Sequence, residues 1–334
     1  MQYLSTFISG CEQEVVNFLC QDVLDATIIK IMDGAVLYTT NADVATIQNL
    51  RYFNNSFVVL KTFRDISGSD CMIVNNMITE LVNKFSGIKL PKYNINKFKL
   101  FTSVKNKLIS HSGKLASQLI DKIQALTKKQ YDTLRADTEF WLIYRSEQIG
   151  FFMLRITENK KKLTRGELRP EIANILCRLS NPKNEDVFCD PFCGSGSIPL
   201  ERSKICGYRG IFALDDDADV ISALKEKTKK IKSSKFKKSF FIKKQDFFHN
   251  SFDDNFLDVV VSDPPWGYFQ KIDDDFYDLL FAELARILKP GGRLVLLTAL
   301  KDKIQNNFPK FELQKRYDIL LSGQKAGIFV LKKI

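Results

Sequence analysis

The sequence predicts an α/β protein whose second half is an open, mostly parallel sheet and whose first half is α+β. Three observations predict it. Residues 186–201 read as a short apolar strand, a Gly-rich turn and the start of a helix, the form in which α/β sheets present a nucleotide-like ligand at a strand's carboxyl edge. From Glu171 onward β-rich and helical patterns alternate, and successive strands end in acids. The first 64 residues follow the order βαββαβ, which suggests a ferredoxin-like unit.

In chain order, Tyr3–Ile8 is a strand and Glu12–Cys20 has helical spacing, with Val15, Val16, Leu19 and Cys20 on one side. Asp33-Gly34 joins strands Ala26–Met32 and Ala35–Thr40 as a tight hairpin. Asn41 is expected to cap a helix reaching Tyr52, and Phe57–Phe63 to be the strand that follows. A helix over Gly68–Phe85 carries the stripe Ile73, Met77, Ile78, Leu81 and Val82. Basic and apolar residues alternate from Lys97 to Leu100, as on a strand with one wet, positive face. A helix at Lys114–Leu126 and strands at Glu139–Tyr144 and Phe151–Ile156 complete the first half. In the second half, helix Glu171–Leu179 leads to strand Asp186–Cys189, helix Ile198–Cys206, strand Gly210–Leu214, a helix from Ala218 and strand Phe240–Lys243. Strand Leu257–Ser262, helix Phe276–Leu288 and strand Arg293–Thr298 follow.

A chain of 334 residues exceeds what one hydrophobic core usually holds, so at least two domains are expected. The net charge of +11 is concentrated: Leu90–Gln130 holds nine Lys and one Asp, and Lys225–Lys244 ten Lys and one Glu. Such clusters are either solvated faces or a footprint for phosphate; Tyr93, Phe98 and Phe101 beside the first favour RNA. The candidate RNA-binding residues are Lys92, Lys97, Lys99, Lys105, Lys107 and Lys114. Seven Cys without CxxC spacing and two His make a disulfide framework or metal site unexpected, and point to a reducing, cytoplasmic setting. The first ten residues lack a signal-peptide pattern, and no apolar run approaches the ~18 residues a membrane helix needs, so no membrane association is expected.

The acids at the strand ends suit a cationic ligand better than a phosphate. If the ligand is S-adenosylmethionine, Asp190 can face its ammonium or sulfonium end, Asp215 can accept both ribose hydroxyls, and Asp246 can take the adenine amino group. Each alone reads as a loop or cap residue; three at successive strand ends after a Gly-rich turn read as a site. Asp263-Pro264-Pro265-Trp266 is sharper. Two prolines stiffen the segment, so the Asp263 carboxylate and the Pro264 carbonyl present two acceptors for one exocyclic amine, and Trp266 can stack on its base.

Leu168-Arg169-Pro170-Glu171-Ile172-Ala173, Asp190-Pro191-Phe192-Cys193-Gly194-Ser195-Gly196 and Asp263-Pro264-Pro265-Trp266 resemble, in order and spacing, motifs of class I amino-methyltransferases, in particular THUMP-containing RNA guanine-N2 methyltransferases. Asp137–Arg145 with Gly150–Arg155 is similar to the closing strands of a THUMP domain. The resemblance implies a Rossmann-like methyltransferase domain over 168–334, a THUMP RNA-binding domain over 65–157, a linker at 158–167 and a ferredoxin-like domain at 1–64. It implies a cofactor pocket of Pro170, Asp190, Phe192, Cys193, Gly194, Ser195, Gly196, Asp215, Asp216 and Asp246, with Asp263, Pro264, Pro265 and Trp266 catalytic. It implies transfer from S-adenosylmethionine to guanine N2 of tRNA by in-line displacement, without metal. Many relatives carry Tyr where Trp266 stands, which leaves the base less defined.

The chief alternative is a DNA adenine-N6 or cytosine-N4 methyltransferase, where Asp-Pro-Pro-Trp also occurs. In many of those enzymes it precedes the Gly-rich motif; here it follows about seventy residues later, with no block large enough for a DNA-recognition domain. Protein glutamine methylation would not need the lysines, and a non-catalytic RNA-binding protein would not need Asp190, Asp215 and Asp263 intact. Cys193 as a nucleophile is a weaker reading than Cys193 packing beside the turn, because amine methylation needs no covalent step.

Overall fold

The computed structural model describes residues 1–110, 113–158, 163, 167–229, 231, 239–267, 272–305, 309–321 and 323–334. The chain divides into two compact units, Met1–Phe7 with Val16–Lys160 and Ile8–Val15 with Lys161–Ile334. Much of the linker expected at 158–167, and residues 230 and 232–238 of the second lysine run, lie outside the described residues.

The first unit opens with β1 (Gln2–Thr6), α1 (Glu12–Asp22, of which Val16 onward belongs to this unit), β2 (Thr27–Met32), β3 (Ala35–Thr39), α2 (Val44–Gln48) and β4 (Asn55–Phe63). Their strand order β2-β3-β1-β4, antiparallel at each step, is that of a split βαβ unit. Asp43, not Asn41, caps α2: its Oδ1 accepts the Thr46 N–H at 2.8 Å. Asn41 is held back because its own N–H is bound to Asp25 Oδ2 at 2.7 Å, and α2 ends at Gln48, well short of Tyr52.

The remaining elements of this unit are α3 (Asp70–Asn83), β5 (Lys97–Val104), β6 (Lys107–Leu108), α4 (Lys114–Thr127), β7 (Gln130–Tyr131), β8 (Thr138–Tyr144) and β9 (Gly150–Arg155). β4 pairs antiparallel with β9, so the described strands of 1–63 and 97–155 form one nine-stranded sheet. Period-two alternation sorts the side chains. Phe140, Leu142, Phe152 and Leu154 pack with the Ile73, Met77, Ile78 and Leu81 stripe of α3, while Phe151 and Met153 join Leu4, Leu37 and Phe57 on the opposite face.

The second unit holds α5 (Pro170–Leu179), β10 (Val187–Asp190), α6 (Ser197–Ile205), β11 (Gly210–Asp215), α7 (Ala218–Thr228), β12 (Phe240–Lys244), β13 (Leu257–Ser262), α8 (Phe276–Ile287), β14 (Leu288–Thr298), α9 (Lys301–Gln305), β15 (Phe311–Leu321) and β16 (Gln324–Lys333). Its strand order is β12-β11-β10-β13-β14-β16-β15, parallel from β12 to β14 and antiparallel thereafter. The chain builds outward from β10 to β12 and then returns to place β13 on the other side of β10. Strand order reverses there, opening a crevice at the carboxyl ends of β10 and β13. Val259, Val260 and Val261 are fully buried, as befits a strand covered on both faces. β14 begins at Leu288 instead of Arg293: Leu288 pairs with Leu257 and Arg293 with Val259, so residues 289–292 bulge out between them. The closing hairpin of β15 and β16 was not expected, since β15 is mostly exposed and lacks a clear apolar alternation.

Buried ions brace the end of this sheet remote from the crevice. Arg202, fully buried, donates to Asp186 Oδ2 at 3.2 Å and to the carbonyls of Lys183 and Gly207 at 2.8 and 3.1 Å. Arg293 Nη2 binds the other Asp186 oxygen. Among the described residues no helix is long and apolar enough to cross a membrane.

Candidate active site

The strand–turn–helix of β10 and α6 forms because Asp190 ends the strand and two glycines take left-handed torsions, Gly194 at φ +49° and Gly196 at φ +80°. The turn is tied to the next strand: Cys193 N–H donates to the Leu214 carbonyl at 2.8 Å and Gly194 N–H to Asp215 Oδ2 at 2.9 Å. The glycines differ in what they permit. A Cβ at Gly194 would meet nothing within 4 Å, whereas one at Gly196 would lie 2.4 Å from Leu224 Cδ1 on α7. Gly196 therefore serves helix packing, and Gly194 leaves the space open. Ser195 and Ser197 hydroxyls lie 3.2 Å apart, and Ser197 Oγ donates to the Leu168 carbonyl at 2.8 Å, which gathers the segment before Pro170 against the turn. Pro170 is the first residue of α5, exposed, where its missing N–H costs nothing.

Adjacent strands bring the expected acids to one edge in the order Asp246, Asp215, Asp190, Asp263. Asp190 is 1% exposed; its Oδ1 accepts the Ser262 hydroxyl at 2.7 Å and the Phe192 N–H at 3.4 Å. Burial pushes its carboxyl up to about 8, the two hydrogen bonds oppose this, and the negative charges of Asp263 and Asp215 add to the rise. Part of Asp263 reaches solvent, but its Oδ1 is buried and makes no hydrogen bond among the described residues. Desolvation pushes that carboxyl up to about 7, and the Trp266 side chain, which approaches the carboxylate as a hydrogen-bond donor, opposes the rise. An acceptor held dry and unfilled beside a proline-stiffened backbone is chemically prepared for an N–H donor.

The other acids do more structural work than expected. Asp215 accepts from Gly194 N–H and, at 3.1 Å, from Asp217 N–H, so each oxygen keeps one lone pair for a ligand. Asp216 is exposed beside it, and Asp217 caps α7. Asp246 accepts the Phe248 N–H at 2.9 Å and pairs with His249 Nδ1 at 2.6 Å; the His249 contact holds its carboxyl below the usual range. Phe192 packs between Phe247 and Phe276, at 5.6 and 5.8 Å between ring centres, and makes an aromatic wall that spacing did not reveal. Cys193 is buried and desolvation raises its thiol strongly, so the sulfur is neutral and a poor nucleophile. Trp266 lines a cavity of about 290 Å³ with Ile272, Tyr277, Leu300 and Lys303. Tyr277, whose hydroxyl lies 2.8 Å from Thr298 Oγ1, and Ser262 are site residues that sequence reasoning missed. A lone Ser at the end of an apolar strand carries no signal until the strand's neighbour is known.

The lysines of the first unit separate into two sets. Lys97 pairs with Asp132 at 2.8 Å and Lys99 with Glu139 at 3.3 Å, so the wet, positive strand face expected at 97–100 is instead largely neutralised. The reason is register: Lys99 stands directly across from Glu139, and β5 is covered on both edges by β6, β7 and β8. Lys92, Lys105, Lys107 and Lys114 are exposed, and no ion pair engages them among the described residues. Lys105 and Lys107 flank the β5–β6 turn.

Residues 158–321 match the family model described as UPF0020, RMKL-like, methyltransferase domain. The chain is 29% identical over 206 residues to tRNA (guanine(6)-N(2))-methyltransferase THUMP3 of Mus musculus, covering 56% of this chain and 40% of that protein. It is 28% identical over 182 residues to a tRNA (guanine(6)-N2)-methyltransferase of Thermus thermophilus, covering 52% of each. The chain thus spans about half or less of these curated relatives. The crystal structure of TrmN from Thermus thermophilus superposes with a TM-score of 0.81 at 20% identity over the whole of both chains, which establishes a shared fold.

Proposed function

We propose that the protein, whose residues 158–321 match the RMKL-like methyltransferase domain model, methylates an exocyclic amino group of an RNA base, guanine N2 of tRNA first among them, with S-adenosylmethionine as donor. The observation that carries this reading is the buried, unfilled Oδ1 of Asp263 next to Pro264 at the strand-order reversal. The names of the relatives, both tRNA guanine-N2 methyltransferases, point to the same target.

When bound, S-adenosylmethionine supplies an electrophilic methyl group. Asp190 would face its cationic end, Asp215 its ribose hydroxyls through the two free lone pairs, and Gly194 would give its backbone room. Asp246, engaged by its own turn, retains a lone pair on each oxygen for an adenine amino group. Asp263 Oδ1 and the Pro264 carbonyl accept the two N–H bonds of the target amine, which fixes the direction of the nitrogen lone pair. With its carboxyl pushed up to about 7, Asp263 is matched to take the amine's proton near neutral pH. Trp266 offers its face to the base at the cavity it lines.

In this reading residues 1–157, as a ferredoxin-like part at 1–64 and a THUMP-type part at 65–157, carry a cytoplasmic tRNA, and 168–334 perform the chemistry. Lys105 and Lys107 are the better candidates for phosphate contacts, because Lys97 and Lys99 already hold carboxylates. Replacing Lys105 and Lys107 by Ala together is expected to weaken RNA binding and to flatten the slope of log affinity against log salt by about 0.7–0.9 for each phosphate left unneutralised. The Lys97→Ala, Lys99→Ala pair should leave that slope nearly unchanged; filter binding at several salt concentrations measures both.

Incubation with labelled S-adenosylmethionine and separate pools of unmodified tRNA, rRNA and DNA, followed by nucleoside mass spectrometry, tests the function. N2-methylguanosine from tRNA is the expected product. Methylated deoxyadenosine or deoxycytidine, or no transfer to any pool, would overturn the reading.

A further inference from the structure

Ser262 occupies a place that the mechanism above does not use. It ends β13, precedes Asp263 in the chain, and is fully buried. The paired register of β10 and β13 runs through Phe188 with Val259 and Cys189 with Val260. Beyond it the two strand ends enter the crevice, and there the Ser262 hydroxyl bridges to Asp190 Oδ1 at 2.7 Å, between residues 72 positions apart. Asp190 heads the Gly-rich turn and Asp263 stands in the amine site, so this bond joins the two halves of the site.

We propose that Ser262 is a positioning residue: its hydroxyl holds Asp190 as an aimed carboxylate for the cationic end of the methyl donor and ties donor binding to the placement of Asp263. The proposal rests on the methyl-transfer reading. Its physical basis is that a hydroxyl has one proton to donate, and donating it to a buried carboxylate favours the charged form. The titratable groups that act on Asp190 are Asp263 after β13 and Asp215 at the end of β11; the thiols of Cys177, Cys189 and Cys193 in turn feel its charge. None of these is a cation, so within this set the hydroxyl and the Phe192 N–H are what offset burial. The sign follows: a carboxyl pushed up to about 8 is mostly protonated at neutral pH, so affinity for the donor's sulfonium, whose charge does not titrate, rises with pH until Asp190 is ionised. Removing the hydroxyl moves that rise to higher pH.

Titration calorimetry of S-adenosylmethionine into the full chain, native, Ser262→Ala and Ser262→Thr, from about pH 6.5 to 9, reads this directly. Ser262→Ala is expected to bind about tenfold more weakly at neutral pH, the worth of one hydrogen bond to a charged group, and to recover most of the loss at the alkaline end. Ser262→Thr, which keeps the hydroxyl, should match the native protein. With saturating donor, kcat on RNA should fall about tenfold in the Ala variant and be restored in the Thr variant if Asp263 is positioned through the same bond. A pH-independent loss of affinity, an unchanged Ser262→Ala, or a Thr variant behaving like Ala would overturn the proposal, and an unaltered kcat would remove its link to Asp263. A native protein that binds the donor yet methylates no RNA would sink the proposed function, while the binding series would still decide the role of Ser262.

Discussion

Asp263→Ala is expected to lower kcat by about a thousandfold or more while changing affinity for S-adenosylmethionine by less than about threefold. Two losses combine. The variant removes the buried Oδ1 that would accept one amine N–H, and it removes the group that would take the proton. Neither group touches the donor in this reading, so donor binding measured by calorimetry should persist. Asp263→Asn separates the two, because an amide oxygen still accepts but does not become a base near neutral pH. In the native protein kcat should rise with pH through about 7, the value to which burial pushes Asp263, since the carboxylate is the working form. Asp263→Asn should retain a fraction of turnover and lose that step. Native turnover in the Ala variant, or a step near neutrality that survives in Asn, would exclude Asp263 from the chemistry.

The second large effect concerns stability. Asp186→Ala is expected to destabilise the second unit by about 3–5 kcal/mol, because it strands a fully buried guanidinium without its counter-charge. Arg202 would keep carbonyl partners at Lys183, Gly207 and Cys206, which satisfy hydrogen bonds but not charge. Arg293 would lose its carboxylate partner at the same time, although its hydrogen bonds to the Ser180 and Asn181 carbonyls remain. Arg202→Met, which removes the charge itself, should cost less than Asp186→Ala despite deleting more hydrogen bonds. Hydrogen exchange of the β10 and β13 amides reports this unit separately, with β8 and β9 as the control. A loss under about 1 kcal/mol, or equal losses in both units, would contradict the assignment of Asp186 as the counter-charge.

Much of the second unit was legible from residues 171–298. A Gly-rich turn after an apolar strand and a double proline at Pro264-Pro265 act within a few residues of themselves, so their geometry follows from local torsions. Helix stripes such as Ile73, Met77, Ile78 and Leu81 were legible for the same reason. Cap choice was less so: Asn41 was the expected cap, and Asp43 takes its place because Asp25 claims the Asn41 N–H.

The sequence by itself determined most elements up to Thr298, the alternation that makes a parallel sheet, and the chemistry placed at its strand ends. Tertiary structure alone decided which of those groups are free to act. It paired β4 with β9, set Lys99 across from Glu139, closed Gly196 against Leu224 and joined Ser262 to Asp190. The physical reason is that torsion and periodicity are properties of neighbours in the chain. Register, burial and charge compensation are properties of neighbours in space, set by the packing of the whole sheet. Asp263 illustrates both: its type and its prolines can be read in the sequence, while the dry, unfilled oxygen that gives it work exists only in the fold.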